Sequence, residues 1–258
     1  MLSAKNISVS KGQTEILHEI NLSVKPGALT AVLGPNGAGK STLLEALTGE
    51  CEPTKGEIHL AGKPLEDWNP LSLSKMRAVL TQSPDINFPF TVLEVVLMGR
   101  SPHYTWIENE QDFQIAQEAL KSVDMASFAE RSFPTLSGGE KQRVQLARVL
   151  AQIWDASENG CRYLLLDEPT SSLDIAHQHL VLKLAKQYAK DQVAVFAILH
   201  DINQATQYAD HLLFLKNGEQ VAVGPPEDII SKEVIEHVYG IKIEFVKHPS
   251  SGRQVIVI

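Results

Sequence analysis

Gly34-Pro35-Asn36-Gly37-Ala38-Gly39-Lys40-Ser41-Thr42 stands between an apolar run, Ala28 to Leu33, and a helix-patterned run, Leu43 to Thr48. Strand, glycine-rich turn and helix in that order match the phosphate-loop spacing of Gly, four residues, then Gly-Lys-Ser/Thr. The chemistry explains the residue types. Glycines let backbone N–H groups close around phosphate oxygens, and the new helix turns its positive end toward them. Lys40 then reaches the outer phosphates, and the Ser41 hydroxyl is placed to ligate Mg²⁺.

Two further apolar runs end in the same way, Tyr163 to Leu166 before Asp167 and Val193 to Leu199 before His200. Such runs suit parallel strands buried on both faces. In an open α/β sheet, ligands sit beyond the carboxyl ends of the strands, so the three ends should meet in one crevice. Asp167 is then the expected metal carboxylate. Glu168, one residue beyond, is placed to orient or deprotonate a water aimed at the terminal phosphoryl group.

Composition bounds the alternatives. The 258 residues are 43% hydrophobic and 21% charged, which excludes disorder, collagen-like repeats and coiled coil. Lys and Arg total 23 against 31 Asp and Glu, a net charge of −8, which argues against wrapping nucleic acid on a basic face. Neither the first ten residues nor Val193 to Leu199 has the apolar length of a signal peptide or a membrane span. Cys51 and Cys161 lack metal or redox spacing and are expected to be ordinary thiols in a reducing compartment.

Outward from the phosphate loop, Ala4 to Ser10, Ile20 to Val24 and Glu57 to Leu60 read as a small antiparallel lobe. Between residues 83 and 156 the strand signal gives way to helical stretches at Val92 to Met98, Gln111 to Ser122 and Glu140 to Ala151. The expected organisation is one domain: residues 1–82 and 157–258 form a nucleotide-binding α/β core with its β lobe, and 83–156 an inserted helical lobe. On the third of those stretches Val144, Ala147, Leu150, Ala151 and Trp154 form one face, and Lys141, Gln145, Arg148 and Gln152 another. Asn217-Gly218 predicts a type I′ hairpin, and a second hairpin is expected around Pro249 to Gly252.

Leu136-Ser137-Gly138-Gly139-Glu140 supplies a hydroxyl, two glycines and a helix start, a second phosphate-reading surface. With this motif the chain resembles the ATP-binding-cassette ATPases, whose signature reads Leu-Ser-Gly-Gly-Gln/Glu, over nearly its whole length and in the order of its motifs. The resemblance implies a P-loop ATPase using ATP and Mg²⁺. It implies that Gln82 senses Mg²⁺ and water where core meets helical lobe, that Ser171 to Asp174 cross to a partner subunit, and that His200 contacts the terminal phosphate. It also implies a homodimer in which Ser137, Gly138 and Gly139 of one subunit close on ATP held by the other. One departure stands out: the family commonly stacks an aromatic residue on adenine near the position of Lys11, and no Phe, Tyr or Trp precedes Trp68. The Lys11 stem or the His18 ring is the expected cover.

Finer motifs, His200-Asp201-Ile202-Asn203-Gln204-Ala205, Tyr208-Ala209-Asp210 and Val238-Tyr239-Gly240, look like the ATPase subunits of bacterial importers for iron chelates, haem and cobalamin. Met98 to His103, Asp174 to His179 and the extra residues between Gln152 and Tyr163 are most similar to the haemin branch of that group. The resemblance implies a motor subunit, peripheral on the cytoplasmic face of the cell membrane, joined to a separate permease and, through it, to a periplasmic or surface substrate-binding protein. A soluble non-transport ATPase, such as an iron–sulfur cluster assembly factor, shares every nucleotide motif and is the alternative. His177 and His179, two apart, do not share a helix face and read as surface or interface residues. His103 reads equally as partner-facing or as loop, and Phe88, Phe90 and Met98 as lobe core close to the family's groove for a permease helix.

Overall fold

The computed structural model describes residues 1–81, 88–156, 160–247 and 254–257. In chain order, strands β1 (Leu2–Lys11), β2 (Thr14–Val24) and β3 (Leu29–Leu33) lead into helix α1 (Lys40–Thr48). Then come β4 (Lys55–Leu60), β5 (Lys63–Pro64), α2 (Pro70–Met76) and β6 (Arg77–Leu80). Helices α3 (Val92–Leu97), α4 (Glu110–Ser122) and α5 (Gly138–Gln152) precede β7 (Arg162–Asp167), α6 (Ile175–Lys190), β8 (Val193–Ile198) and α7 (Ile202–Tyr208). The chain closes with β9 (His211–Lys216), β10 (Glu219–Gly224), α8 (Pro226–Ile229), α9 (Lys232–Tyr239), β11 (Glu244–Lys247) and β12 (Gln254–Val257).

The main sheet has the order β10-β9-β3-β8-β7-β6. β3 is parallel to β8 and β9, and β7 is parallel to β8 and β6; only β10 runs against its neighbour. Side chains alternate across this sheet with period two, as a strand buried on both faces requires. Leu164, Leu166, Val193, Val195, Ala197, Leu212 and Phe214 face the helical side, while Tyr163, Leu165, Ala194, Phe196, Ile198, Leu213 and Leu215 face the other. On that second side lie α1 and the antiparallel sheet β2-β1-β4-β5. The expected small β lobe is therefore a layer of the α/β core. The helices between residues 88 and 156 share one apolar cluster with the sheet's first face.

Each of the three helices there starts from a capping box, Thr91 with Glu94, Asn109 with Asp112 and Ser137 with Glu140. A box satisfies two otherwise orphaned backbone donors, and one N-cap is worth about 0.5–2 kcal/mol. Arg100, fully buried, ties these helices together, donating from Nε to Asp112 Oδ1 at 2.9 Å and from its two terminal nitrogens to Ala151 O at 2.8 Å and Asp155 Oδ2 at 2.6 Å.

The second face expected on α5 packs against the protein at Gln145 and Gln152. Gln145 is buried, and Gln152 Nε2 donates to Ser74 O at 2.7 Å and Arg77 O at 3.1 Å, so amides on this face dock the helix against the α2–β6 segment. Asn217 and Gly218 both have positive φ, 49° and 79°, as the type I′ turn joining β9 and β10 demands. The second expected hairpin is present as β11 paired with β12; its connection, residues 248–253, lies outside the described residues. Among the described residues no helix is long and apolar enough to cross a membrane.

Candidate functional site

The phosphate loop takes its shape from where the chain cannot carry a side chain. A Cβ on Gly34, φ 155°, would lie 2.2 Å from Leu215 O, and one on Gly39, φ 98°, would lie 2.6 Å from Leu17 Cδ2. Gly34 is therefore required by packing against the β9 backbone, and at Gly39 the positive φ adds to the crowding by Leu17 of β2. At Gly37, φ 78°, nothing stands within 4 Å, so there the glycine supplies backbone freedom alone. Pro35, Asn36 and Ala38 complete the turn, Ala38 N donating to Pro35 O at 3.2 Å and Gly218 N to Ala38 O at 3.1 Å.

Gly39 caps α1 with no side-chain acceptor, and the first turn holds no acidic residue. The N–H groups of Lys40, Ser41 and Thr42 thus belong to an uncapped helix start, a ready anion site. Lys40 is buried and its Nζ donates to Gly34 O at 2.7 Å and Pro35 O at 2.9 Å, folding the ammonium over the loop. Burial holds its pKa below the ordinary lysine range, and the charges of Glu168 and Asp167 offset part of that.

Across the crevice, β7 ends on Asp167 and β8 leads to His200. Burial, with the neighbouring Glu168 charge, pushes the Asp167 carboxyl up to about 6, against the opposing pull of His200 and Lys40. Its Oδ1 is buried and, among the described residues, has no hydrogen-bond partner. Such an atom calls for a donor or a cation. Among the described residues no group of three or more His, Cys, Asp and Glu side chains makes a self-sufficient metal site. The donor set, one carboxylate with the exposed Ser41 hydroxyl close to a phosphate cradle, fits Mg²⁺, which is characteristically held by one or two carboxylates plus phosphates and water.

Glu168 adopts φ 46°, left-handed for a non-glycine residue, and precedes Pro169. Its Oε1 lies 2.6 Å from His200 Nε2. Lys40, Asp167, Glu168 and His200 are thus one constellation at the ends of adjacent parallel strands, as the sequence predicts. Gln82 lies outside the described residues.

Ser137 caps α5, which opens with Gly138 and Gly139; a Cβ on Gly138 would meet nothing within 4 Å, while Gly139 packs against residues 172–173. A Cβ on Gly139 would lie 3.1 Å from Ser172 O. The Ser137 hydroxyl accepts from Glu140 N–H at 3.4 Å and donates to Glu140 Oε2 at 2.7 Å, and that bond together with the one from Ser137 N–H to Oε2 at 2.7 Å holds the Glu140 carboxyl below the usual range. The Ser-x-x-Glu spacing signals this cap and was open to sequence reading. Asp174 caps α6, accepting from His177 N at 2.9 Å and lying 2.9 Å from His177 Nδ1. His179 Nδ1 lies 2.7 Å from Tyr208 Oη, and half-buried His103 lies 2.7 Å from Gln152 O, a contact inside the helical layer. Phe88, 66% exposed, leans on Phe90 with ring centroids 4.8 Å apart.

Sequence reading gave no signal for Gln142, and took in Gln178 and Gln204 only as members of the finer motifs, without a role. Gln142 Nε2 donates to Glu168 O at 3.0 Å. Gln178 Nε2 donates to Leu173 O at 3.0 Å and Thr170 O at 3.4 Å, and Gln204 Nε2 donates to Gln178 Oε1 at 2.7 Å.

Comparison with known proteins gives a consistent result. Residues 17–171 match the ABC transporter family. A relative from Gloeobacter violaceus, the hemin import ATP-binding protein HmuV, is 50% identical over 257 residues, covering 100% of this chain and 94% of the relative. Among solved structures, an inward-facing metal-chelate type ABC transporter aligns with TM-score 0.82 and 29% identity, over 99% of this chain and 96% of that one. A dimeric bacterial ABC transporter cassette aligns with TM-score 0.74 and 28% identity, over 87% and 98%.

Proposed function

The chain belongs to the ABC transporter family, and from that premise we propose that it is the ATP-hydrolysing motor of an importer for haemin, or for another iron chelate or cobalamin. The observation that carries the reading is the grouping of Lys40, Asp167, Glu168 and His200 beyond the ends of β3, β7 and β8. Asp167 Oδ1 is buried and, among the described residues, has no partner, while the buried Lys40 bends onto its own loop.

In this reading the N-terminal amides of α1 and the Lys40 ammonium bind the phosphates, and Ser41 with Asp167 would hold Mg²⁺. Bound there, Mg²⁺ neutralises charge on the terminal phosphates. Glu168 orients the attacking water and takes its proton, and His200 holds Glu168 and meets the terminal phosphate. Catalysis is mostly positioning and electrostatic stabilisation of a loose phosphoryl transition state. By the family resemblance, Gln82 senses Mg²⁺ and water and carries movement to the permease.

Two copies of the chain complete each other's sites, Ser137, Gly138, Gly139 and Asp174 of one closing on ATP held by its partner. The dimer sits at the cytoplasmic face of the membrane under a separate permease, which a substrate-binding protein serves from outside. The 50% identity to a hemin import subunit supports the cargo assignment.

The test is affinity capture of tagged Glu168→Gln protein with ATP from detergent-solubilised native membranes, followed by mass spectrometry. A many-spanning permease is the expected companion, and haem-stimulated phosphate release from the reconstituted complex the expected activity. Recovery of soluble partners alone would overturn the transport reading.

A further inference from the structure

We infer that Gln142 is a positioning residue for Glu168, and that it ties the backbone of the water-activating carboxylate to the helix that begins at Ser137. The inference rests on the reading of Glu168 above. Three donors converge on the Glu168 carbonyl: Gln142 Nε2 at 3.0 Å, Ser171 Oγ at 2.9 Å and Ser171 N at 3.1 Å. Gln142 Nε2 also lies 3.4 Å from Ser171 Oγ. An ordinary carbonyl is satisfied by one or two bonds; here Ser171 supplies two from the same turn, and the third, from Gln142, holds the peptide from outside it.

Glu168 has reason to need holding. Its φ of 46° is left-handed, a region that non-glycine residues occupy only when the surroundings over-determine them. Pro169 follows and narrows the backbone choices of the residue before it. Released from Gln142 and Ser171, the Glu168–Pro169 peptide can relax, and the carboxylate turns with its backbone. The contact that suffers is the 2.6 Å approach of Glu168 Oε1 to His200 Nε2.

Gln142 lies one turn after Gly139 on the same face of α5, since residues three apart are neighbours on a helix. Gly139 packs on this same segment, its Cβ position 3.1 Å from Ser172 O, so close that an added side chain would press on that carbonyl. Helix α5 therefore grips residues 168–173 at two points. From the other side, Gln204 donates to Gln178, and Gln178 donates to Thr170 O and Leu173 O. Gln204 stands on α7, which starts two residues after His200. The 168–173 segment is thus suspended between the helix beginning at Ser137 and the helix following His200. Any shift of α5 as Ser137 meets the partner's nucleotide reaches Glu168 of its own chain through one amide.

The test uses the full-length chain and steady-state phosphate release against ATP concentration, with fluorescent-nucleotide binding as the check on folding. Gln142→Glu keeps length and volume but replaces the donor with an acceptor, so a packing role would tolerate it. The expected result is a fall in kcat of at least about tenfold with KM for ATP unchanged, since misplacing a reacting group by an ångström costs on the order of a hundredfold. Ser171→Ala removes one of the three donors and should lower kcat several-fold in the same pattern, which keeps the question answerable if Gln142→Glu does not fold. A kcat within about twofold of the parent in the folded variants, or KM rising as far as kcat falls, would overturn the inference. Glu168→Gln is run in parallel: near-normal turnover there would instead overturn the reading of Glu168 itself.

Discussion

His200 Nε2 and Glu168 Oε1 lie 2.6 Å apart, so the side chain that follows β8 and the one that follows β7 meet as one unit. Residues that act as a unit lose their effects together. Glu168→Gln should keep ATP affinity and lower turnover by roughly a hundredfold or more, in the range of general-base removal. His200→Ala should lower turnover by a smaller factor, and the double variant should be no slower than Glu168→Gln alone. Single-turnover phosphate release on the three proteins checks this; simple multiplication of the two losses would show that the residues act separately.

Lys40 plays a different part, because its Nζ bonds to Gly34 O and Pro35 O are made within the loop that holds phosphate. Replacing it with Met removes a buried, desolvated cation while keeping an unbranched stem. The fold should lose little stability, since the apolar side chain no longer pays for burying charge. Nucleotide affinity should fall by about tenfold to a hundredfold, the worth of a charge-assisted hydrogen bond of about 1.5–3 kcal/mol. Isothermal titration with ATP decides it, and unchanged affinity would remove Lys40 from the phosphate site.

Asp167 makes a prediction about pH. Its folded-state pKa is raised from 3.8 to about 6, so between those values the folded chain binds more protons than the unfolded one. By linkage this contribution to stability is present at low pH and is lost as pH rises through about 6. Asn has no proton to lose. Without nucleotide or Mg²⁺, Asp167→Asn should be more stable than the parent at pH 7.5, by ~2 kcal/mol, and the gap should shrink toward pH 4.5. Urea midpoints at the two pH values measure it, and a gap that grows on acidification would refute the assignment.

The legible part of this molecule was whatever a spacing fixes. Gly34 to Thr42 between a strand and a helix, Asp167-Glu168 at the end of one apolar run and His200 at the end of another placed three ends in one crevice, and the parallel order β3-β8-β7 puts them there. Asn217-Gly218 was equally legible, because two successive positive φ values suit few other pairs. Long-range amides were not. Gln142 and Glu168 are 26 residues apart and Gln152 and Ser74 are 78, so no local pattern announces either bond. Helical spacing puts Gln145 and Gln152 on one face of α5, but it does not say that Gln145 is buried or that Gln152 meets the carbonyls of Ser74 and Arg77.

The base of the nucleotide gives the last prediction. No Phe, Tyr or Trp precedes Trp68, and the expected covers of adenine are the Lys11 stem and the His18 imidazole. Lys11 Nζ is drawn to Glu45 Oε2 at 2.6 Å, which lays its stem toward α1, while His18 is held beside the loop by its N–H bond to Gly218 O at 2.9 Å. A stem reads neither the amino group of adenine nor the carbonyl of guanine. Sites reject a base strongly only when buried polar groups are left unpaired by the wrong one. GTP should therefore compete with labelled ATP with an inhibition constant within about tenfold of that for unlabelled ATP, a ratio typical of shape-only selection. Strong exclusion of GTP would show that a polar group reads the base and that neither Lys11 nor His18 is merely its cover.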